Sequence, residues 1–448
     1  MIKFFKLLVL INLVFFISSC SFKNTGGFFE DRLKELEVQI AKKNSKLVFA
    51  QRKEFREEIS GSLQKTKLQS ITNKNWLEKN FTSSNYIPNL EYENKKELVY
   101  KSKKVGKNKF DTSDLFFETL IFEGNIFFYD TSGSIYNFSV DNRKLVWKFN
   151  FYKKRYKEIP INIKLTISNE NLVISDNLGY IYCLAINSGK LNWAKNYGVP
   201  FRSNVKIDDG DIFLLNQDNK FYSIKEENGE KNSSLETFRS SIKTKQETNV
   251  GLDTIKNNIY FLTSSGQLYS INYRTNNINW LTSISTSLDS GSDLFFSSPI
   301  IYKDDKIFFS SSAATYSINA KNGYINWEIP FSTYLRPIVS EHFMFLASKD
   351  GFLLNLDYET GKVIWSKSLY KTNDKLKEKK IGYIRSFLLA SNQILVTTSK
   401  GFFLFIDYKN GKILSYTRAS KAGFFSNPVL VDKKIYAIDN KMKVLIFN

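Results

Sequence analysis

Side chains able to do acid–base, nucleophilic or metal chemistry are scarce in this chain of 448 residues. It carries one histidine, His342, and two cysteines, Cys20 and Cys183. A multi-histidine metal centre and repeated imidazole proton transfer are therefore excluded, and two cysteines cannot build a disulfide framework. His342, in Glu341-His-Phe-Met344, reads as a strand residue. Cys183, inside Gly179-Tyr-Ile-Tyr-Cys-Leu-Ala-Ile186, reads as a small buried hydrophobe. No Gly-x-Ser-x-Gly elbow, phosphate-cradling loop or His-Glu-x-x-His run occurs. Asp357 and Asp407 recur at equivalent places in a repeat, which assigns them to turns instead of chemistry. The expectation is a non-catalytic protein with no catalytic residue, no metal site and no cofactor.

Cys20 is a different case. Lys3 and Lys6 form a short positive start, and Leu7 to Ile17 is an apolar run too short to span a bilayer comfortably. The run ends in Ile17-Ser-Ser-Cys20, which resembles the lipobox of bacterial lipoproteins. There the small residues admit the peptidase and the cysteine thiol carries the lipid. The resemblance implies a signal peptide over 1–19 and lipidation at Cys20. Acyl chains contribute about 0.8 kcal/mol per buried CH₂, so several of them anchor a protein stably. Ser21 follows where an Asp would be typical of inner-membrane retention, so the resemblance implies the periplasmic face of the outer membrane, with the inner membrane as the alternative. Residues 20–96 are expected to be a tether, partly helical because Leu33, Leu36, Ile40, Leu47 and Ala50 recur at steps near a helical period. The stretch from about Ser60 to Glu97 is polar and reads as a spacer.

What remains, 97–448, must be the folded body. Aromatic residues make up 15% of the chain and proline is scarce, which favours strands. The formal charge of +20 raises the question of an anionic partner. Lys, Asn, Ile, Phe and Tyr are all specified by AT-rich codons, so composition alone supplies a source for that charge. No nucleic-acid-binding signature accompanies it. The basic runs Tyr152-Lys-Lys-Arg-Tyr-Lys157 and Lys375-Leu-Lys-Glu-Lys-Lys380 keep an anionic ligand open as an alternative.

Internal repetition decides the architecture. A turn residue, a second turn residue ten later and a tryptophan four after that recur along the chain. The marks are Gly133, Arg143, Trp147, then Gly179, Gly189, Trp193, then a decayed Asn219, Gly229, Ser233. They continue as Gly266, Asn276, Trp280, as Ala313, Gly323, Trp327, as Gly351, Gly361, Trp365 and as Gly401, Gly411, Ser415. Gly and Asn accept the positive φ of tight hairpins, and the residues between two marks make one strand of alternating pattern, such as Phe352 to Tyr358. The tryptophan then falls on the next strand, near the outer edge, where it can bridge to a neighbouring unit. Two more strand-like runs precede each unit, giving four antiparallel strands per repeat, a propeller blade. An eighth unit from Asn427 stops at Asn448 without its last strand, and Glu97–Ser102 is placed to supply it. The expected fold is all-β: an eight-bladed β-propeller of four-stranded antiparallel blades, closed by pairing of N- and C-terminal strands and carrying a lipidated N-terminal tether.

The segment Leu356-Asp-Tyr-Glu-Thr-Gly-Lys-Val-Ile-Trp365 resembles the repeat of pyrroloquinoline-quinone-type propellers, with weaker copies ending at Ser415 and Trp193. A lipobox joined to a single eight-bladed ring is similar to the BamB family, the propeller lipoproteins of the outer-membrane β-barrel assembly machinery. That resemblance implies a non-catalytic scaffold, monomeric within a complex, that binds the periplasmic domains of the central insertase through inter-blade loops. It implies no nucleic-acid partner. Arg202, in Pro200-Phe-Arg-Ser203, and Arg336, in Tyr334-Leu-Arg-Pro337, are the candidate contacts in such loops. The alternatives are a periplasmic propeller for an anionic envelope ligand and, from the shared repeat, a quinoprotein dehydrogenase. For the latter the adjacent-cysteine pair and acidic cluster of those enzymes are missing.

Overall fold

The computed structural model describes residues 54–448 apart from 64–67, 110–116, 153–154, 157, 238–248, 285–295 and 372–373. The signal peptide, Cys20, the helix expected over 33–50 and the three lysines of the 152–157 run lie outside the described residues. The described chain forms eight four-stranded sheets. Seven are strictly sequential, beginning with Thr119–Phe122, Asn125–Tyr129, Ser134–Ser139 and Lys144–Asn150 as blade 1. The eighth takes Val429–Val431, Lys434–Ile438 and Val444–Phe447 from the C-terminus and Leu98–Lys101 from the N-terminus. Leu98 faces Phe447 and Lys101 faces Leu445 in antiparallel register, so the ring closes as its missing strand required.

Burial grades across each blade. The second and third strands are covered on both faces, as in Phe352–Asp357, where five successive residues are buried. The alternation expected for this strand is absent because a neighbouring blade covers each face of the sheet. Outer strands such as Lys144–Asn150 are largely exposed. The apolar core therefore consists of layers between blades, for instance Phe308, Trp327, Met344, Leu354 and Tyr358 between blades 5 and 6.

The repeat's tryptophans hold these layers together. Each lies on an outer strand just after a β-bulge, and its indole N–H donates across to the next blade. Trp147 reaches the Ile186 carbonyl at 2.8 Å, Trp193 that of Glu226 at 2.8 Å and Trp365 that of Tyr408 at 3.1 Å. The glycine at the second mark of the next blade lies under the ring: Gly411 has φ +70°, and a Cβ there would stand 2.7 Å from Trp365. Gly189, Gly229, Gly323 and Gly361 meet Trp147, Trp193, Trp280 and Trp327 in the same way. Where the tryptophan is replaced, so is the glycine. Ser233 donates to Asn276 Oδ1 at 2.7 Å, Ser415 accepts from Lys96 at 2.8 Å, and Tyr100 carries the Arg143 guanidinium 5.2 Å above its ring.

The smaller sequence assignments resolve simply. Asp357 and Asp407 accept backbone N–H groups of Thr360 and Lys409 in their hairpin turns. Cys183 is buried, and burial pushes its thiol up to about 11. His342 sits in the turn after Ser340 instead of in a strand, exposed and stacked on Tyr358.

Candidate functional site

The polar stretch read as a spacer has a structural role. Residues from Glu54 onward pack into one compact unit with the blades. The segment from Asn73 to Leu90 runs around the inner strands and meets seven of the eight. Trp76 bridges Ile121 of blade 1, and Ile167 of blade 2 donates to the Leu77 carbonyl. Leu252 of blade 4 donates to Ser83, and Tyr302 of blade 5 to Ser84. Leu90 donates to Leu389 of blade 7, and Asp432 of blade 8 donates to Asn73. The inner strands present free edges, and on six blades this irregular segment satisfies their backbone groups one or two at a time.

Blade 3 is met through a side chain. The Lys206 ammonium is fully buried, paired with the Glu78 carboxylate and donating to the Thr82 carbonyl at 3.1 Å and Asn85 Oδ1 at 2.7 Å. Burial pulls its pKa down against the attraction of Glu78. Asn85 in turn donates to the carbonyls of Val250 and Ile300, at 2.7 and 2.6 Å, tying blades 4 and 5 to the same point.

With that segment as its floor, the central channel becomes a one-ended well of about 490 Å³. Trp76, Lys79, Asn80 and Ile87 form the floor. The walls are residues that lead into the first strands, among them Asn162, Asn249, Pro299, Arg336, Arg385 and Asn427. Among the described residues, four lining side chains are Lys or Arg (Lys79, Arg336, Lys349 and Arg385) and none is Asp or Glu. Just behind the wall, Glu118 lies 3.7 Å from the Lys164 ammonium and 4.0 Å from that of Lys79, so one buried carboxylate serves two cations. Burial and the neighbouring Lys79 push Lys164 down to about 7.

The two arginines singled out from the sequence are placed differently. Arg336 lines the well, half-buried, with its Nη1 donating to the Pro337 carbonyl at 2.9 Å. Burial pushes it down to about 9. Arg202 lies in the loop between blades 2 and 3, held by Gln217 at 2.9 Å, close enough to Lys164 to depress it further. Arg385, Lys79 and Lys164 were not picked out from the sequence. The available signal was a charged residue within or beside a blade's first strand, as in Ile384-Arg-Ser386, where apolar residues are the rule.

A closed ring of eight four-stranded blades, five of them docked to the next through a tryptophan, is the architecture of the pyrroloquinoline-quinone-type repeat propellers. The sequence profile of the family described as outer membrane protein assembly factor BamB matches residues 131–367. The chain belongs to that family. Comparison with curated proteins finds no match. Among solved structures, BamB from Moraxella catarrhalis superposes with a TM-score of 0.61 at 14% identity, covering 79% of this chain and 99% of that one. A europium-containing methanol dehydrogenase gives 0.62 at 11% identity over 81% and 89%. Quinohemoprotein alcohol dehydrogenase from Comamonas testosteroni gives 0.60 at 10% over 83% and 80%. At these identities the structural likenesses establish the fold alone.

Proposed function

We propose that this chain is a non-catalytic scaffold lipoprotein at the periplasmic face of the outer membrane, where it assists assembly of β-barrel proteins. The observation that carries this reading is the family match, which spans more than half of the chain. Anchoring is assigned to Cys20, and the partner is the periplasmic portion of the barrel insertase, met through inter-blade loops. Arg202 remains the more accessible loop contact. Arg336 faces the well, so a partner would have to insert a side chain to reach it.

The test is affinity purification of the full chain from gently solubilised membranes, identifying what co-purifies. Recovery of the insertase is expected. Its reproducible absence, or quinone-dependent alcohol oxidation by the purified protein, would overturn the scaffold reading. Cys20→Ala is expected to leave a folded propeller that no longer fractionates with membranes. Unchanged fractionation of that variant would refute the anchor.

A further inference from the structure

Blade 6 differs from its neighbours at the rim. Its outer strand, Val363–Ser368, is half-buried or buried along its length, whereas Lys144–Asn150 of blade 1 is largely exposed. The cover is the segment 54–63, which lies outside the repeat. Ile59 and Ser366 exchange backbone hydrogen bonds as an antiparallel pair, Ile59 donating at 3.2 Å and Ser366 at 3.0 Å. Among the described residues no other outer strand carries an added pair of this kind. The Phe55 N–H donates to the Pro330 carbonyl at 2.7 Å and the Leu63 N–H to the Lys409 carbonyl at 3.0 Å, so the segment crosses from blade 5 to blade 7. Its side chains alternate as a strand's do: Phe55, Ile59 and Leu63 face the blade, whereas Arg56, Glu58, Ser60 and Ser62 are exposed. Phe55 lies edge-on to Phe352 with 6.5 Å between ring centroids, and Arg56 binds Asp350 at 3.0 Å. Leu63 joins the apolar cluster of Trp365 and Tyr408. Gly61 passes so close to the blade that a Cβ would stand 2.0 Å from the Ile364 carbonyl oxygen. A strand laid on a sheet edge, with pockets beside it for alternate side chains, is how peptides are recognised by strand addition.

We propose that the rim of blade 6 is a binding groove for an extended segment of another polypeptide, and that residues 54–63 fill it in cis as a displaceable ligand. The pattern recognised is an aromatic residue followed four, six and eight positions on by an aliphatic residue, a glycine and a second aliphatic residue, as in Phe55, Ile59, Gly61 and Leu63. Pairing to Ser366 sets the register, the Phe352 ring and the surroundings of Trp365 receive the side chains, and the Ile364 carbonyl admits only glycine between them. Attachment in cis holds the segment at an effective concentration of about millimolar, which keeps the groove filled in isolation. The cis segment nevertheless pairs with the edge through a single residue. A strand that pairs along more of Val363–Ser368 gains further backbone hydrogen bonds and displaces it. A second copy of this chain brings the same segment and gains no contact by exchange, so the donor is assigned to a different polypeptide. The groove depends neither on the scaffold reading nor on lipidation of Cys20.

The probe is a fluorescent peptide of residues 54–63, its anisotropy followed during titration with the full chain in detergent. Gly61→Val in the full chain is expected to expel the segment and leave the groove unchanged, because the new side chain meets the Ile364 carbonyl. Trypsin should then cut after Arg56 faster than in the unsubstituted chain. The peptide should bind this variant saturably, at least about tenfold more tightly than it binds the unsubstituted chain, whose groove is already filled. A peptide carrying the same Gly61→Val change should bind neither. Ile59→Pro removes the N–H that meets Ser366 and replaces Gly61→Val if that variant misfolds. Absence of saturable binding up to about 1 mM, in a variant whose segment is cut faster, would overturn the proposal. Unchanged cleavage after Arg56 in both variants would do the same, by making the segment a fixed part of the fold. Equal binding of the two peptides would remove the glycine requirement and with it the groove. Self-association of the unsubstituted chain that the free peptide reverses would overturn the assignment of the donor to a different polypeptide. Because purified protein and a synthetic peptide are used, none of these outcomes depends on whether the insertase co-purifies.

Discussion

Trp365→Ala is expected to destabilise the propeller by about 3–5 kcal/mol, the range for deleting a fully buried large aromatic side chain. Trp365 is 0% exposed and packs at 6.2 Å from the Phe345 ring within its own blade. It also covers Gly411 of the next blade and donates to the Tyr408 carbonyl. The substitution therefore removes apolar contact, leaves a cavity between two blades and strips a buried carbonyl of its donor. The loss should appear as a lowered midpoint in urea denaturation. The same substitution at Trp147, on a more exposed outer strand and only partly buried, should cost distinctly less. A Trp365→Ala loss below about 1 kcal/mol would show that blade cohesion does not depend on these docked rings.

The second large effect is expected at Lys206. Lys206→Ala leaves Glu78 buried without its ammonium partner and removes the donor to Thr82 and Asn85. Breaking one side of such a buried pair typically costs about 3–5 kcal/mol. The damage should be regional, because Lys206 joins blade 3 to the segment that floors the channel. Limited proteolysis is expected to cut between Asn73 and Leu90 faster in the variant, with the blades intact. Pairing the change with Glu78→Gln, as Lys206→Met/Glu78→Gln, should recover part of the loss, since no charge is then left uncompensated. If single and double variants are equally destabilised, the contribution of Lys206 comes from packing and not from its charge.

The two sites differ in how visible they were before the structure. The tryptophan positions could be read from spacing alone, because a repeated hairpin fixes a repeated register and places every copy on the same strand. Their pairing with glycine was legible too, in retrospect: Ser233 precedes Asn276, and Ser415 stands in for tryptophan where no eighth hairpin glycine exists. The connection between a tryptophan and a turn some forty residues later is a contact between blades, and only the ring shows it. Lys206 had no such signal. One lysine among 64 basic residues looks like solvated surface until the segment carrying Glu78 is folded over it.

By itself the sequence determined the local order of this protein: four strands per unit, seven complete units, an eighth completed by the residues before the first. Hairpin geometry and alternating apolar residues act over a few positions, so they leave a pattern in the chain. What residues 54–96 do, and that the channel is a well lined by cations, was decided only by tertiary structure. The segment's partners are free backbone edges on six blades, each satisfied by one or two groups, and a lysine ammonium on a seventh, and contacts of that kind impose no period on the sequence. The cations of the well come from the consecutive blades 6 and 7 and from the segment beneath them, and only the path of that segment brings Lys79 to the same cavity as Arg336 and Arg385.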